Sequence, residues 1–218
     1  MKIIDVLKLN LPFSYMWLLK KSIGDPKTIL DLGCGDGSLM GFLSKGEKWQ
    51  IIGIDIYKKA IETARKRNVY YKLIRGDLLK TIKNNNLKSK YDVVFFSQVI
   101  EHVTRKDGEK ILEEIEKLAK KRIIVGTPRG FMEQPHEFLD GNPHQVHKLG
   151  WSIEDFISRR YKVYGVGFLP IWSHHGLGRN ANVFRTVISN LISYIMSPIV
   201  YFLPTLGAGV IAIKDKRK

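Results

Sequence analysis

One stretch constrains this chain more than any other: Ile29-Leu30-Asp31-Leu32-Gly33-Cys34-Gly35-Asp36-Gly37-Ser38-Leu39. A β-rich run ends on an acid, three glycines alternate, and a helix-compatible segment begins. Glycine tolerates positive φ and lets the backbone approach a ligand closely. A helix starting there offers free N–H groups. A second run, Ile51-Ile52-Gly53-Ile54-Asp55, ends on another acid 22 residues after Gly33. In open α/β sheets ligands bind beyond the carboxyl ends of the strands, and an acid near this distance receives ribose hydroxyls.

The rest of the chain agrees with such a sheet. Strand-like runs at residues 28–32, 50–55, 70–74, 92–96 and 122–126 alternate with helix-compatible stretches at 38–45, 58–67, 108–120 and a short turn near 78–82. Ile111, Ile115 and Leu118 share one helical face opposite charges. The run Asp92-Val93-Val94-Phe95-Phe96 is apolar throughout, as when helices cover both faces of a strand. The expected class is α/β, doubly wound, with right-handed crossovers. With 218 residues, 44% of them hydrophobic, the chain can bury one sizeable core. Its single cysteine, Cys34, forms no internal disulfide, which fits a reducing compartment. Asp5 and Lys8 break up the start MKIIDVLKLN, so no signal-peptide core is visible there and a cytoplasmic location is expected.

The glycine spacing separates two ligand classes. Dinucleotide sites use G-x-G-x-x-G, whereas this chain reads G-x-G-x-G. Asp31 also places a negative charge where a pyrophosphate would approach. A ligand with a cationic part suits it better, and S-adenosylmethionine (SAM) carries an ammonium, a sulfonium and a ribose without phosphate.

Over roughly residues 25–168 the chain resembles the class I SAM-dependent methyltransferases, in particular those with a DLGCGDG first motif. That resemblance implies a Rossmann-like seven-stranded sheet, mostly parallel with an antiparallel last strand. It implies that Asp31, Gly33, Cys34, Gly35 and Gly37 line the methionine part of the cofactor. Asp55 would hold the ribose, Ile56 would pack on the adenine, and Asp77 with Leu78 in Gly76-Asp77-Leu78 would meet the adenine edge. The fourth-strand motif, Tyr91 to Val103, ends in a variant of "EHV" and would bring Ser97 to the cofactor and Gln98 and Glu101 to the substrate. His144-Gln145-Val146-His147, followed by Trp151-Ser152, resembles the family's late H-x-x-x-(W/F)-S region, with His144 at the substrate. Two late strands, 162–169 and 207–213, complete the pattern.

His102 and His147 are the candidate general bases, since imidazole titrates near neutral pH. His136, His144 and His147 with Glu137 and Asp140 have the right ligand types for zinc or iron, but no pair has HExxH spacing, and no metal is expected. Cys34 reads as a small filler and Asp92 as a strand opener.

The segments expected are an N-terminal helical cap (1–24), a SAM-binding core (25–169), a helical insertion (170–205) and a last strand with a basic tail (206–218). A net charge of +15 lies at the two ends, +10 over residues 1–90 and +6 over 161–218. It favours anionic partners. No charge occurs from Thr186 to Ile213, and Phe184, Val187, Ile188, Leu191, Ile192, Ile195 and Ile199 form one helical stripe. Packing on the core or a substrate lid is expected for that stripe first, and peripheral membrane contact second. The lead expectation is methyl transfer to a small, lipophilic acceptor. RNA methylation on the basic surface and a non-catalytic SAM-binding module are the alternatives. Nothing in the sequence fixes an oligomeric state.

Overall fold

The computed structural model describes residues 9–84, 87, 91–133, 141–173, 176–178 and 182–216. Helix α1 (Tyr15–Ile23) leads into β1 (Thr28–Leu32), α2 (Ser38–Leu43), β2 (Gln50–Asp55), α3 (Lys58–Arg67), β3 (Lys72–Arg75), α4 (Leu78–Lys83) and β4 (Tyr91–Ser97). Then come α5 (Arg105–Leu118), β5 (Ala119–Pro128), α6 (Ile153–Ile157), β6 (Lys162–Phe168), α7 (Leu169–Trp172), α8 (Val183–Ile195), α9 (Ser197–Phe202) and β7 (Gly207–Asp215). One seven-stranded sheet holds the order β3-β2-β1-β4-β5-β7-β6. β1 to β5 pair in parallel, and β7 runs antiparallel to both β5 and β6. The expected doubly wound sheet with a reversed last strand is what forms.

Every residue of β4 is buried. Alternate side chains serve opposite layers: Val94 and Phe96 pack with Ile111, Leu112 and Ile115 of α5, while Val93 and Phe95 pack with Leu18, Leu19 and Leu43. Asp92 pins the strand's far end, where Oδ2 accepts from Lys27 N at 2.8 Å and Oδ1 meets Lys121 Nζ at 3.3 Å. It lies second in a strand that starts one residue earlier than read.

Several boundaries move: β5 is longer than the expected 122–126 at both ends, and two others shift for reasons visible in their contacts. β3 starts at Lys72 instead of residue 70, because Tyr70 turns inward and donates to Asp31. α5 starts at Arg105, three residues early, because the Thr104 hydroxyl accepts from Asp107 N at 3.2 Å and caps it. α6 begins at Ile153 behind the expected capping box, in which Asp155 N donates to Ser152 Oγ and Ser152 N to Asp155 Oδ2.

The insertion departs most from expectation. The stripe on α8 does not enter the core: Phe184, Leu191 and Ile195 are exposed, and the helix buries Ser189 and Ser193 instead. The space beneath α8 already holds Trp172, whose indole N–H donates to Ser193 Oγ at 2.8 Å, so a small hydroxyl face fits there. Among the described residues no helix is long and apolar enough to cross a membrane.

Candidate active site

The glycine loop joins β1 to α2 with Gly33, Gly35 and Gly37 at φ of 69°, 54° and 76°. All three are left-handed, where a side chain is strained. A Cβ on Gly33 would also lie 2.3 Å from Val99, so this glycine lets the loop close against the end of β4. A Cβ on Gly35 would meet nothing within 4 Å and would stand in the open space the loop encircles.

That space is a cavity of about 910 Å³ at the carboxyl edge of the parallel strands. Asp31, Gly33, Cys34, Gly35, Asp55 and Ile56 line one part of it. Asp77, Leu78, Ser97, Gln98, His102 and His144 line the rest. Three expected residues are not on its wall. Gly37 faces Tyr70 and Ala64 from the start of α2, Glu101 is buried behind the wall, and His147 stands behind His102. His136, Glu137 and Asp140 lie outside the described residues.

The carboxylates set the electrostatics. Asp55 Oδ2 accepts from Gly35 N and Oδ1 from Tyr57 N, both at 2.8 Å, which locks it under the loop. Asp31 is buried. Burial pushes its carboxyl from the ordinary 3.8 up to about 7, the Tyr70 hydroxyl at 2.8 Å offsets part of this, and the Asp55 charge adds to it. A carboxylate so placed is relieved by a cation. Burial, with Asp31 and Asp55 beside it, raises the Cys34 thiol far out of the thiolate range, so it fills space and is not a nucleophile. Although the chain is strongly basic, five aspartates and three lysines line this cavity. The local field disfavours a pyrophosphate and favours a cationic ligand. The acid-lined cradle, the Gly35 opening and Asp55 fit SAM.

At the other end Gln98 adopts φ 59° where β4 stops, its N–H held by Gly126 O at 2.7 Å. The 3-10 turn Ile100–His102 follows. The Glu101 carbonyl accepts from Lys148 N at 2.8 Å, which docks the late His144–His147 loop on this turn. The rings of His102 and His147 come within 4.8 Å. His102 Nδ1 faces the Val146 carbonyl at 3.2 Å, and His147 Nδ1 faces the Met132 carbonyl. Carbonyls only accept, so both Nδ1 atoms donate, and Nε2 of a neutral His102 is left as an acceptor. Burial, with His147 and Lys148 nearby, holds His102 down at about 4, against the Val146 hydrogen bond. It is neutral across the physiological range.

Burial also raises Glu101 to about 7, where Oε2 takes the Thr127 hydroxyl at 3.0 Å and Oε1 has no hydrogen-bond partner. One ligand-capable atom each from Glu101, His102 and His147 lies within 4.8 Å of the others. The grouping differs from the histidine set considered from spacing, sharing only His147 with it. Glu101 and His102 are neighbours, but His147 is brought in from 45 residues downstream by tertiary contact. Tyr70 and Tyr15 were also missed. Tyr15 OH lies 2.8 Å from Ser97 Oγ, and burial keeps it protonated. No spacing rule marks either, since each reaches the site from another element.

Fold and site together define a class I SAM-binding domain. A methyltransferase domain family model matches residues 23–156, and the chain belongs to that family. The chain is 36% identical over 112 residues to the ribosomal protein L11 methyltransferase of Thermosipho melanesiensis, a match covering 50% of this chain and 40% of that protein. It is 24% identical over 194 residues to the ubiquinone biosynthesis O-methyltransferase of Serratia proteamaculans, covering 79% of each. A SAM-dependent methyltransferase structure from Archaeoglobus fulgidus superposes with a TM-score of 0.56 at 16% identity, over 99% of this chain and 100% of that one. The cofactor of such methyltransferases is SAM.

Proposed function

We propose that the chain transfers the SAM methyl group to a small acceptor with an apolar body and a weakly acidic hydroxyl. One observation carries this reading: a single cavity is lined both by Asp31 at the cofactor cradle and by His102 and His144, with Val99 and Val103 giving its wall an apolar part. When bound, SAM supplies a methyl already activated on sulfonium. What remains for the protein is to align the acceptor and receive its proton. Gln98 and His144, both on the cavity wall, would orient a polar group. His102, neutral and with Nε2 able to accept, would take a proton as the methyl is transferred. His147 sets the position of His102 and can take the charge onward. The name of the Serratia relative, a ubiquinone biosynthesis O-methyltransferase, agrees with an oxygen acceptor. The acid-lined cavity speaks against RNA at this site.

The test is methyl transfer from radiolabelled SAM to a panel of phenols and quinols, with RNA alongside. His102→Ala and His147→Ala should each slow transfer to a phenol by about 10²–10⁴-fold with unchanged S-adenosylhomocysteine affinity. Transfer to RNA alone would overturn the reading. A second reading rests on the same donor set: Glu101, His102 and His147 would suit a divalent cation that polarises the acceptor oxygen. Chelation with EDTA separates the two, leaving the rate intact for proton transfer and abolishing it for the cation.

A further inference from the structure

α8 is an amphipathic helix packed the wrong way round for a core element. Ser189 and Ser193 face the body, where Ser193 Oγ accepts from Trp172 Nε1 at 2.8 Å. At 100° per residue, Phe184, Leu191 and Ile195 fall within an arc of about 40° on the opposite side. They are 73%, 58% and 64% exposed. On α9, Phe202 is 70% exposed too, and its ring lies 6.2 Å from that of Phe13, which joins the N-terminal segment to α9. Contiguous apolar surface of this kind marks an interaction site.

Charge says what covers it. Between Asp155 and Asp215 the chain has no acidic residue. Arg185 lies outside that arc, about 20° beyond Ile192, which is itself 41% exposed, and Lys21 Nζ sits 4.5 Å from the Trp17 ring, itself 6.4 Å from Tyr201 of α9. A second copy would bring the same acid-free face against these cations, with nothing to pair them. An anionic lipid surface supplies both an apolar layer and negative headgroups. At 13 residues α8 is too short to span the roughly 20-residue hydrocarbon thickness, so it can only lie in the interface.

We propose that α8 and the turn into α9 seat in the interfacial layer of an anionic bilayer, with Phe184, Leu191 and Ile195 in the acyl boundary and Arg185 and Lys21 at headgroup phosphates. β6 ends and β7 begins at the sheet edge where the cofactor cavity opens, so the docked face stands on the active-site side. This surface is independent of the acceptor, because its test reads binding and not turnover.

The experiment is vesicle co-sedimentation with equal parts phosphatidylcholine and phosphatidylglycerol, and with phosphatidylcholine alone. The wild-type chain should sediment with the anionic vesicles and release as salt rises. The combined Phe184→Asp, Leu191→Asp, Ile195→Asp variant should lose about tenfold or more of that binding while keeping its calorimetric S-adenosylhomocysteine affinity. If that variant misfolds, Arg185→Glu with Lys21→Glu gives the same readout. Wild-type chain left in the supernatant, equal binding to neutral vesicles, or undiminished binding by a folded variant would each overturn the proposal. So would a dimer in sedimentation velocity that the substitutions dissolve without any vesicle binding.

Discussion

Asp31 is a buried carboxyl that costs the fold around it stability once it ionises. Its proton affinity is raised from 3.8 to about 7, so the native chain holds a proton that the unfolded chain has already lost between those values. Stability contributed at this residue therefore falls as pH rises from about 4 to 7, and the deficit is full above it. Asp31→Asn should stabilise the unliganded chain at pH 8 by up to about 3–4 kcal/mol and change little at pH 4. The same variant should bind S-adenosylhomocysteine far more weakly, because the amide cannot offset the ligand's ammonium. Denaturant melts at the two pH values and a calorimetric titration check both halves. Equal melts at pH 8 would mean that Asp31 is already neutral or well solvated. Asp31 and Asp55 were legible from two local motifs. Tyr70 was not, because it contacts Asp31 from 39 residues away.

At the scale of elements, α5 positions the late loop through a single missing side chain. A Cβ on Gly108 would lie 2.5 Å from Trp151, a fully buried ring whose indole N–H donates to Ile100 O at 3.1 Å. Helix propensity alone would make Gly108→Ala stabilising by about 1 kcal/mol. Overpacking against a rigid aromatic costs about 1–3 kcal/mol, and here the ring has no free direction in which to move. The net expectation is a loss of about 1–2 kcal/mol, with the His147 loop displaced, measured by chemical denaturation and by a drop in transfer rate larger than the drop in cofactor affinity. A variant as active as the wild type would show that the Trp151 packing does not position the loop. α8 carries the complementary lesson. Its helical period was plain in the sequence, but the face that turns inward was decided by Trp172 and the hydroxyl of Ser193.

For the molecule as a whole, the last strand is the closing element. β7 lies between β5 and β6, and β6 pairs with no other described strand. Val210, Ile211 and Ala212 are wholly buried. Burying a Val or Ile side chain contributes about 1.5–3 kcal/mol, so these residues approach the 5–15 kcal/mol that typically holds a domain. Ending the chain at Leu206 should abolish the cooperative unfolding transition seen by circular dichroism, even though the matched family segment stops at residue 156. A sharp transition in the truncated chain would show that the parallel half is self-sufficient. Net charge is also a whole-molecule property, and it misleads locally: a +15 chain encloses a cavity with more aspartates than lysines.

The sequence by itself determined the fold class, the glycine loop, the strand-end positions of Asp31 and Asp55 and the capping box at Ser152. Each of these is a local pattern: periodicity, a run of positive-φ glycines, or a side chain bonding its own next turn. Tertiary structure alone decided the rest. It brought His147 to His102 and Glu101, placed Glu101 behind the cavity wall, turned Tyr15 and Tyr70 inward, and set the apolar stripe of α8 outward. These outcomes depend on which surfaces compete for the same space across long sequence separations. No spacing within a single element records that competition.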